Sequence, residues 1–253
     1  PEALSWMGGK TVAAFFGSVV GLLGIGLGYP GQPHVITRYM AAKDTQTIKR
    51  GVWIAIGWGT SIYTSAILLG ICGRALFPGL ADPEHLFPTA AENLLPALAT
   101  AVVLTGVLAA IMSTVSAQII VATSAVAHDV YSKVMRGSPT HKQILNISRI
   151  TVLLTGLSAM AVALTETRVI FWFVLFAWSG LGASFGPPIL FTLYSKNVTR
   201  EGAIAGMLVG FFITIFWKVT GLSDDYIYEL VPAFLLSALA VWAVSRWTIK
   251  KTD

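Results

Sequence analysis

Apolar residues in this chain come in long runs separated by short polar segments, without the two-residue alternation of a half-buried strand. Runs of about 20 residues match the length a helix needs to cross a bilayer. They fall near Thr11–Met40, Gly51–Cys72, Ala97–Ala127, Ile144–Leu164, Val169–Tyr194, Gly202–Val219 and Leu230–Trp247. With no water in the hydrocarbon region, such runs must satisfy their own backbone groups, as an α-helix does. A membrane β-barrel would instead show short alternating segments. The pattern predicts an all-α polytopic membrane protein with about seven transmembrane helices.

The first run is broken. Between Gly24 and His34 stand Gly24, Gly26, Gly28 and Gly31 together with Pro30 and Pro33. Each glycine loosens a helix and each proline removes a backbone donor. Open backbone within a membrane is tolerated only where protein buries it or where it lines a water-filled cavity. The freed N–H and C=O groups can then serve as ligands for ions and polar solutes. Tyr29, Gln32 and His34 lie in or beside the break, which can equally be a re-entrant loop or packing kink.

The third run carries a polar stripe. Ala110, Ser113 and Thr114 stand at i, i+3 and i+4 and share one helix face. Two hydroxyls and a carbonyl on one face supply half a shell for a small hard cation such as sodium, and a facing segment must supply the rest. The same residues also serve plain helix packing, since Ser and Thr bond to their own helix carbonyls and small residues allow close approach. Gln118, Thr123 and Ser124 extend the stripe and are expected to hydrogen-bond between helices. The fifth run, around Trp178–Pro188, combines a small-residue face with a proline pair that predicts a kink. Packing is its default role, with cavity lining open to Trp178 and Ser179.

Composition reinforces the membrane reading. Hydrophobic residues make up 55% of the chain and charged residues only 11%, with mean hydropathy +0.73; a soluble domain carries about a quarter charged residues. The 17 basic residues sort by loop. Arg38, Lys43, Lys49, Arg50, Lys133, Arg136, Lys142, Arg149, Lys196, Arg200, Arg246, Lys250 and Lys251 fall on one side, and Lys10, Arg74, Arg168 and Lys218 on the other. Basic loops stay in the cytoplasm, which predicts an outside N-terminus and a cytoplasmic C-terminus. Most acids, including Glu2, Glu166 and Glu229, fall on the outer side, and no charged residue is expected deep in a span. The net charge of +5 thus marks topology and contact with anionic head groups. Because the charge is scattered over several loops, it argues against nucleic acid. The single cysteine, Cys72, rules out a disulfide within the chain and is expected to be packed. The first residue, Pro1, is not an initiator methionine, as expected of a piece of a longer protein. Phosphate-cradling loops, His-Glu-x-x-His zinc helices and nucleophile elbows are missing from the sequence, so an enzyme is not expected.

Several motifs taken together resemble one family. Gly26–His34 followed by Arg38–Ala41, Leu108–Thr114 with Ser124, Ala125 and Asp129–Tyr131, Ala177–Pro187, and Gly202–Met207 continuing to Trp217 and Lys218 are similar to stretches of the sodium:solute symporter family. The likeness is strongest to its bacterial sodium/proline members and runs in order along nearly the whole chain. It implies a partial five-plus-five inverted-repeat (LeuT-like) core. Residues 1–195 would be the second repeat, and 196–253 two accessory helices. The first repeat would belong to the same protein outside this chain. It also implies a multi-pass protein of the bacterial inner (plasma) membrane.

Carried over residue by residue, the resemblance assigns the sodium site to Ala110, Ser113 and Thr114, completed by carbonyls of the missing repeat. It assigns Ile25, Tyr29, Pro33, Ala117 and Trp178 to the solute site. Ile25 stands where proline symporters carry tryptophan, and Ala117 where they usually carry cysteine; both changes reshape the pocket. The expected function is sodium-coupled uptake of a small organic solute, proline or a related amino acid, with sodium co-transported. A symporter for another solute such as a carboxylate, a seven-helix receptor or sensor, and a polytopic enzyme or structural subunit are the alternatives. The fractured first span disfavours a receptor, and the lack of catalytic clusters and of buried acids disfavours the last class.

Overall fold

A computed structural model describes residues 12–135, 139–164 and 170–249, and every regular element among them is helical. In chain order these are α1 (Val12–Gly24), a 3-10 segment (Ile25–Gly31), α2 (Pro33–Met40), α3 (Thr45–Leu76), a 3-10 turn (Pro83–His85) and α4 (Leu86–Leu94). Next come α5 (Ala97–Ser124), a π-helical continuation (Ala125–Met135), α6 (His141–Ala163), α7 (Ile170–Tyr194), α8 (Arg200–Val219), α9 (Leu222–Asp225) and α10 (Leu230–Thr248). Among the described residues, six helices are long and apolar enough to cross a membrane: Thr45–Leu76, Ala97–Val134, His141–Ala163, Phe173–Tyr194, Arg200–Val219 and Leu230–Thr248. They match the six unbroken runs. The seventh, broken run is α1, the 3-10 segment and α2. Of the residues used to read topology, Glu2, Lys10, Arg136, Glu166, Arg168, Lys250 and Lys251 lie outside the described residues, as do Pro1 and the expected span starts Thr11 and Val169.

Two helices outrun their apolar runs for local reasons. Asp44 caps α3 by accepting the Thr47 backbone N–H at 2.7 Å, and that bond holds its carboxyl below the ordinary carboxylate range. The residues gained in this way, Thr45 to Arg50, include Lys49 and Arg50, so α3 lengthens at a polar end. Beyond Ser124, α5 passes into the π-helical stretch, where Lys133 pairs with Asp129 at 2.7 Å. Pro187 and Pro188, the pair at which a kink is expected, do not end α7, which stays helical through both. Pro187 has no N–H for the Ala183 carbonyl, and Gly210 of α8 comes up against that carbonyl.

The described residues form two compact units. The first comprises the described residues within Pro1–Arg38 and Met160–Asp253. Its core is Ala183, Leu230, Ala233 and Phe234, with Trp178, Leu190, Ile213 and Tyr228 packed around them. A hydrophobic drive between helices is absent in lipid, so close approach and hydrogen bonds hold them together. In α8, Gly202, Gly206 and Gly210 recur every fourth residue, and in α10 so do Ala233, Ser237, Val241 and Ser245. A Cβ on Gly202 would stand 2.9 Å from both Ser245 N and Val241 O. Ser237 Oγ donates to the Gly206 carbonyl at 2.8 Å, a kind of bond that contributes about 0.6 kcal/mol on average within membranes.

The second unit, Tyr39–Ala159, holds α3 to α5 and most of α6. Leu86 of α4 packs over Gly73 of α3, and Thr100 Oγ1 of α5 donates to the Ala91 carbonyl at 2.9 Å. Large apolar side chains of α3 such as Trp53, Ile54 and Trp58 point outward, as lipid-facing residues do. Cys72, expected to be packed, is exposed on the same helix.

Candidate functional site

The break in the first span is built by its own sequence and held by α7. Ile25–Gly31 tightens into a 3-10 segment with Pro30 inside it, and Gln32 turns to extended backbone before Pro33 restarts the helix. Three interactions with Trp178 of α7 fix this course. The Trp178 ring N–H donates to the Ile25 carbonyl at 3.1 Å, and the Gln32 side-chain amide donates to the Trp178 carbonyl at 3.0 Å. The Tyr29 and Trp178 rings meet edge to face with centroids 5.0 Å apart, a geometry favoured by the ring quadrupoles.

Glycines on both partners make the approach possible. A Cβ on Gly31 would lie 2.6 Å from Gly182 Cα and from the Leu181 carbonyl oxygen, and one on Gly182 would lie 2.6 Å from Gly28 Cα. Backbone thus rests on backbone, and Tyr29 is left about half exposed, at 47%, on the rim of the break. Of the expected solute-site residues, Ile25, Tyr29 and Trp178 come together here, with Pro33 directly after Gln32.

The other expected residues belong to the second unit. Ala110, Ser113 and Thr114 are exposed on one face of α5, and Ala117 is half-buried one turn on. Thr114 Oγ1 donates to the Ala110 carbonyl at 3.2 Å. The bond is the local one that threonine makes in many helices. It also sets two oxygens at the spacing of neighbours around a hard cation that takes oxygen ligands at about 2.3–2.6 Å. Thr123, expected to bond between helices, has a buried hydroxyl with no hydrogen-bond partner. Among the described residues no three His, Cys, Asp or Glu side chains stand together as a ligand set.

Two residues carry more of the site than the sequence reading allotted them. Gln32 is 2% exposed and is a structural clasp on α7. Glu229, read as a residue of an outer loop, is 3% exposed, and its Oε1 accepts the Ser179 hydroxyl at 3.3 Å. The expectation that no acid is buried is therefore corrected. Glu229 stands at the N-cap of α10, where the helix dipole favours a negative charge; an acid immediately ahead of an apolar run was the available signal. Its neighbour Tyr228 donates its hydroxyl to the Leu175 carbonyl at 2.6 Å. Burial, and then the charge of Glu229, pushes the Tyr228 phenol above its ordinary pKa and so keeps that donor protonated.

A cavity of about 520 Å³ opens between α7 and α8, lined by Phe176, Leu181, Phe185, Met207, Phe211 and neighbours. Its wall is almost wholly apolar and includes none of Ile25, Tyr29 or Trp178, so it is separate from the break.

Comparison with known proteins gives a consistent result. A sequence profile described as "Sodium:solute symporter family" matches residues 6–210. The high-affinity proline transporter PutP of Bacillus subtilis is 39% identical over 238 residues, covering 91% of this chain and 50% of that protein. The osmoregulated proline transporter OpuE of the same organism is 38% identical, covering 91% and 48%, and a sodium/proline symporter of Salmonella typhimurium is 36% identical, covering 89% and 46%. The chain spans about half the length of the curated relatives it matches. No solved structure matches it.

Proposed function

The chain belongs to the sodium:solute symporter family, and from that premise we propose that it forms the C-terminal half of a sodium-coupled symporter for proline or a closely related amino acid. One observation carries the proposal: the first span is interrupted by a 3-10 segment held against α7, with Tyr29 at the rim. Trp178 fixes the ends of the opening through the Ile25 carbonyl and the Gln32 amide. An opening of this kind offers backbone dipoles to a zwitterion, and aromatic faces offer apolar contact to a pyrrolidine ring. Ile25, Tyr29, Pro33, Ala117 and Trp178 are the proposed solute contacts. Support from the relatives is that they transport proline.

Sodium is the proposed co-transported ion, held by the Ala110 carbonyl and the hydroxyls of Ser113 and Thr114. In this proposal residues 1–195 are the second inverted repeat and 196–253 two accessory helices. The first repeat, elsewhere in the same protein, completes both sites. The N-terminus of this chain faces outside and its C-terminus the cytoplasm, across a bacterial plasma membrane. Isoleucine at position 25 and alanine at position 117 make the pocket roomier than in proline symporters, so a larger amino acid competes as well as proline does.

The test is uptake by the complete protein in liposomes. An inward sodium gradient should drive proline accumulation, and replacing sodium with choline should abolish it. Tyr29→Ala should raise the KM for proline about tenfold, through the lost ring contacts. Uptake indifferent to sodium would overturn the coupling, and small carboxylates that compete better than amino acids would overturn the solute class.

A further inference from the structure

The segment ahead of the last helix touches both sides of the break. On α7 it makes two anchors one helical turn apart: Tyr228 donates to the Leu175 carbonyl at 2.6 Å, and Glu229 accepts at 3.3 Å from the Ser179 hydroxyl, whose one proton is shared with the Phe176 carbonyl at 2.8 Å. Trp178, which fixes the 3-10 segment through the Ile25 carbonyl and Gln32, lies between those two positions. On α1 the same segment meets a row of glycines. A Cβ on Gly21 would stand 3.0 Å from Tyr228 Cβ, and one on Gly24 would collide with Val231; Gly17 meets the Tyr226 carbonyl. At Gly182 the two partners share one residue, for an added Cβ there would be 2.6 Å from Gly28 Cα and 3.1 Å from Leu230 Cδ1. Residues 226–231 are thus wedged against the helix before the break and against the helix that pins the break.

We propose that Tyr228 and Glu229 are positioning residues for the solute site, bracing Trp178 and the interrupted helix from the accessory end of the chain. This rests on the reading of Tyr29 and Trp178 as solute contacts. Glu229 acts through Ser179 rather than by touching solute. Because Ser179 follows Trp178 directly, a lost hold at Ser179 lets α7 turn by a few degrees about its axis. A small rotation displaces the Trp178 ring from the Ile25 carbonyl and loosens Ile25–Gln32. The carboxylate serves here as an acceptor, so an amide oxygen at the same place substitutes for it.

The experiment compares wild type with Glu229→Ala, Glu229→Gln and Ser179→Ala in the complete protein. It reads proline uptake kinetics in liposomes and, on the same preparations, backbone hydrogen exchange of residues 25–32. Glu229→Ala should raise KM about tenfold with Vmax per transporter within about twofold, and should speed exchange in that window. Ser179→Ala, which leaves the fold less disturbed, should raise KM about threefold with the same exchange signature. Glu229→Gln should restore both readouts to near wild type. KM and exchange unchanged in Glu229→Ala or in Ser179→Ala would overturn the brace, as would Glu229→Gln being as impaired as Glu229→Ala. If wild type shows no sodium-driven proline uptake, the transport reading fails, and the exchange comparison alone decides the brace.

Discussion

Trp178 makes two kinds of contact at once. Its ring N–H fixes the Ile25 carbonyl while the ring itself meets that of Tyr29 edge to face. The two contributions separate chemically, because phenylalanine retains an aromatic face and lacks the donor. A neutral hydrogen bond contributes about 0.5–1.5 kcal/mol net. Trp178→Phe should therefore raise the KM for proline about two- to tenfold, measured in the uptake assay. An unchanged KM would mean that the ring contact and the Gln32 bond hold the break without the indole N–H. The sequence placed Trp178 at a cavity or solute site but not its bond to Ile25, because that partner is 153 residues away and no local pattern encodes the pair. Tyr29 was easier to find, since it sits inside the cluster of helix breakers itself.

At the scale of elements, glycine rows decide which helices meet. Gly202, Gly206 and Gly210 recur along α8, and the last of them seats against the carbonyl that Pro187 frees in α7. A methyl group at Gly210 would lie 2.5 Å from Ala183 C and 2.8 Å from Ser184 N, both backbone atoms that cannot swing aside. Helix propensity by itself would favour alanine over glycine by about 1 kcal/mol. The clash reverses that sign: Gly210→Ala should cost about 1–3 kcal/mol and lower the melting temperature of the purified protein by several degrees. A raised melting temperature would show that propensity wins and that α7 and α8 yield. The same rows explain why two helices read as appended to the repeat share a compact unit with the break. Hydropathy gave no hint of this, because glycine and serine positions within an apolar run barely change its mean.

On the scale of the whole molecule, the chain accounts for about half the length of its relatives. The polar face of α5 is exposed in its own unit. The proposed sodium ligands lie together on that face, with Thr114 Oγ1 donating to the Ala110 carbonyl. In the complete protein, Ser113→Ala combined with Thr114→Ala should raise the sodium concentration for half-maximal uptake about tenfold, since two of the protein oxygens are lost. The KM for proline at saturating sodium should move much less. Unchanged sodium dependence would remove these residues from the ion site.

What the sequence by itself determined is what depends on neighbours along the chain. Apolar length set the spans, the crowding of glycine and proline from Gly24 to Pro33 set the break, and the i, i+3, i+4 spacing put Ala110, Ser113 and Thr114 on one face. The tertiary structure decided how the break is held. Gln32 reaches Trp178 across 146 positions and Ser179 reaches Glu229 across 50. In lipid, helix association leaves no hydropathy trace, because burying a side chain against another helix or against acyl chains is nearly equivalent. Only the folded chain shows that a carboxylate taken for an outer-loop residue is buried beside the helix that pins the opening.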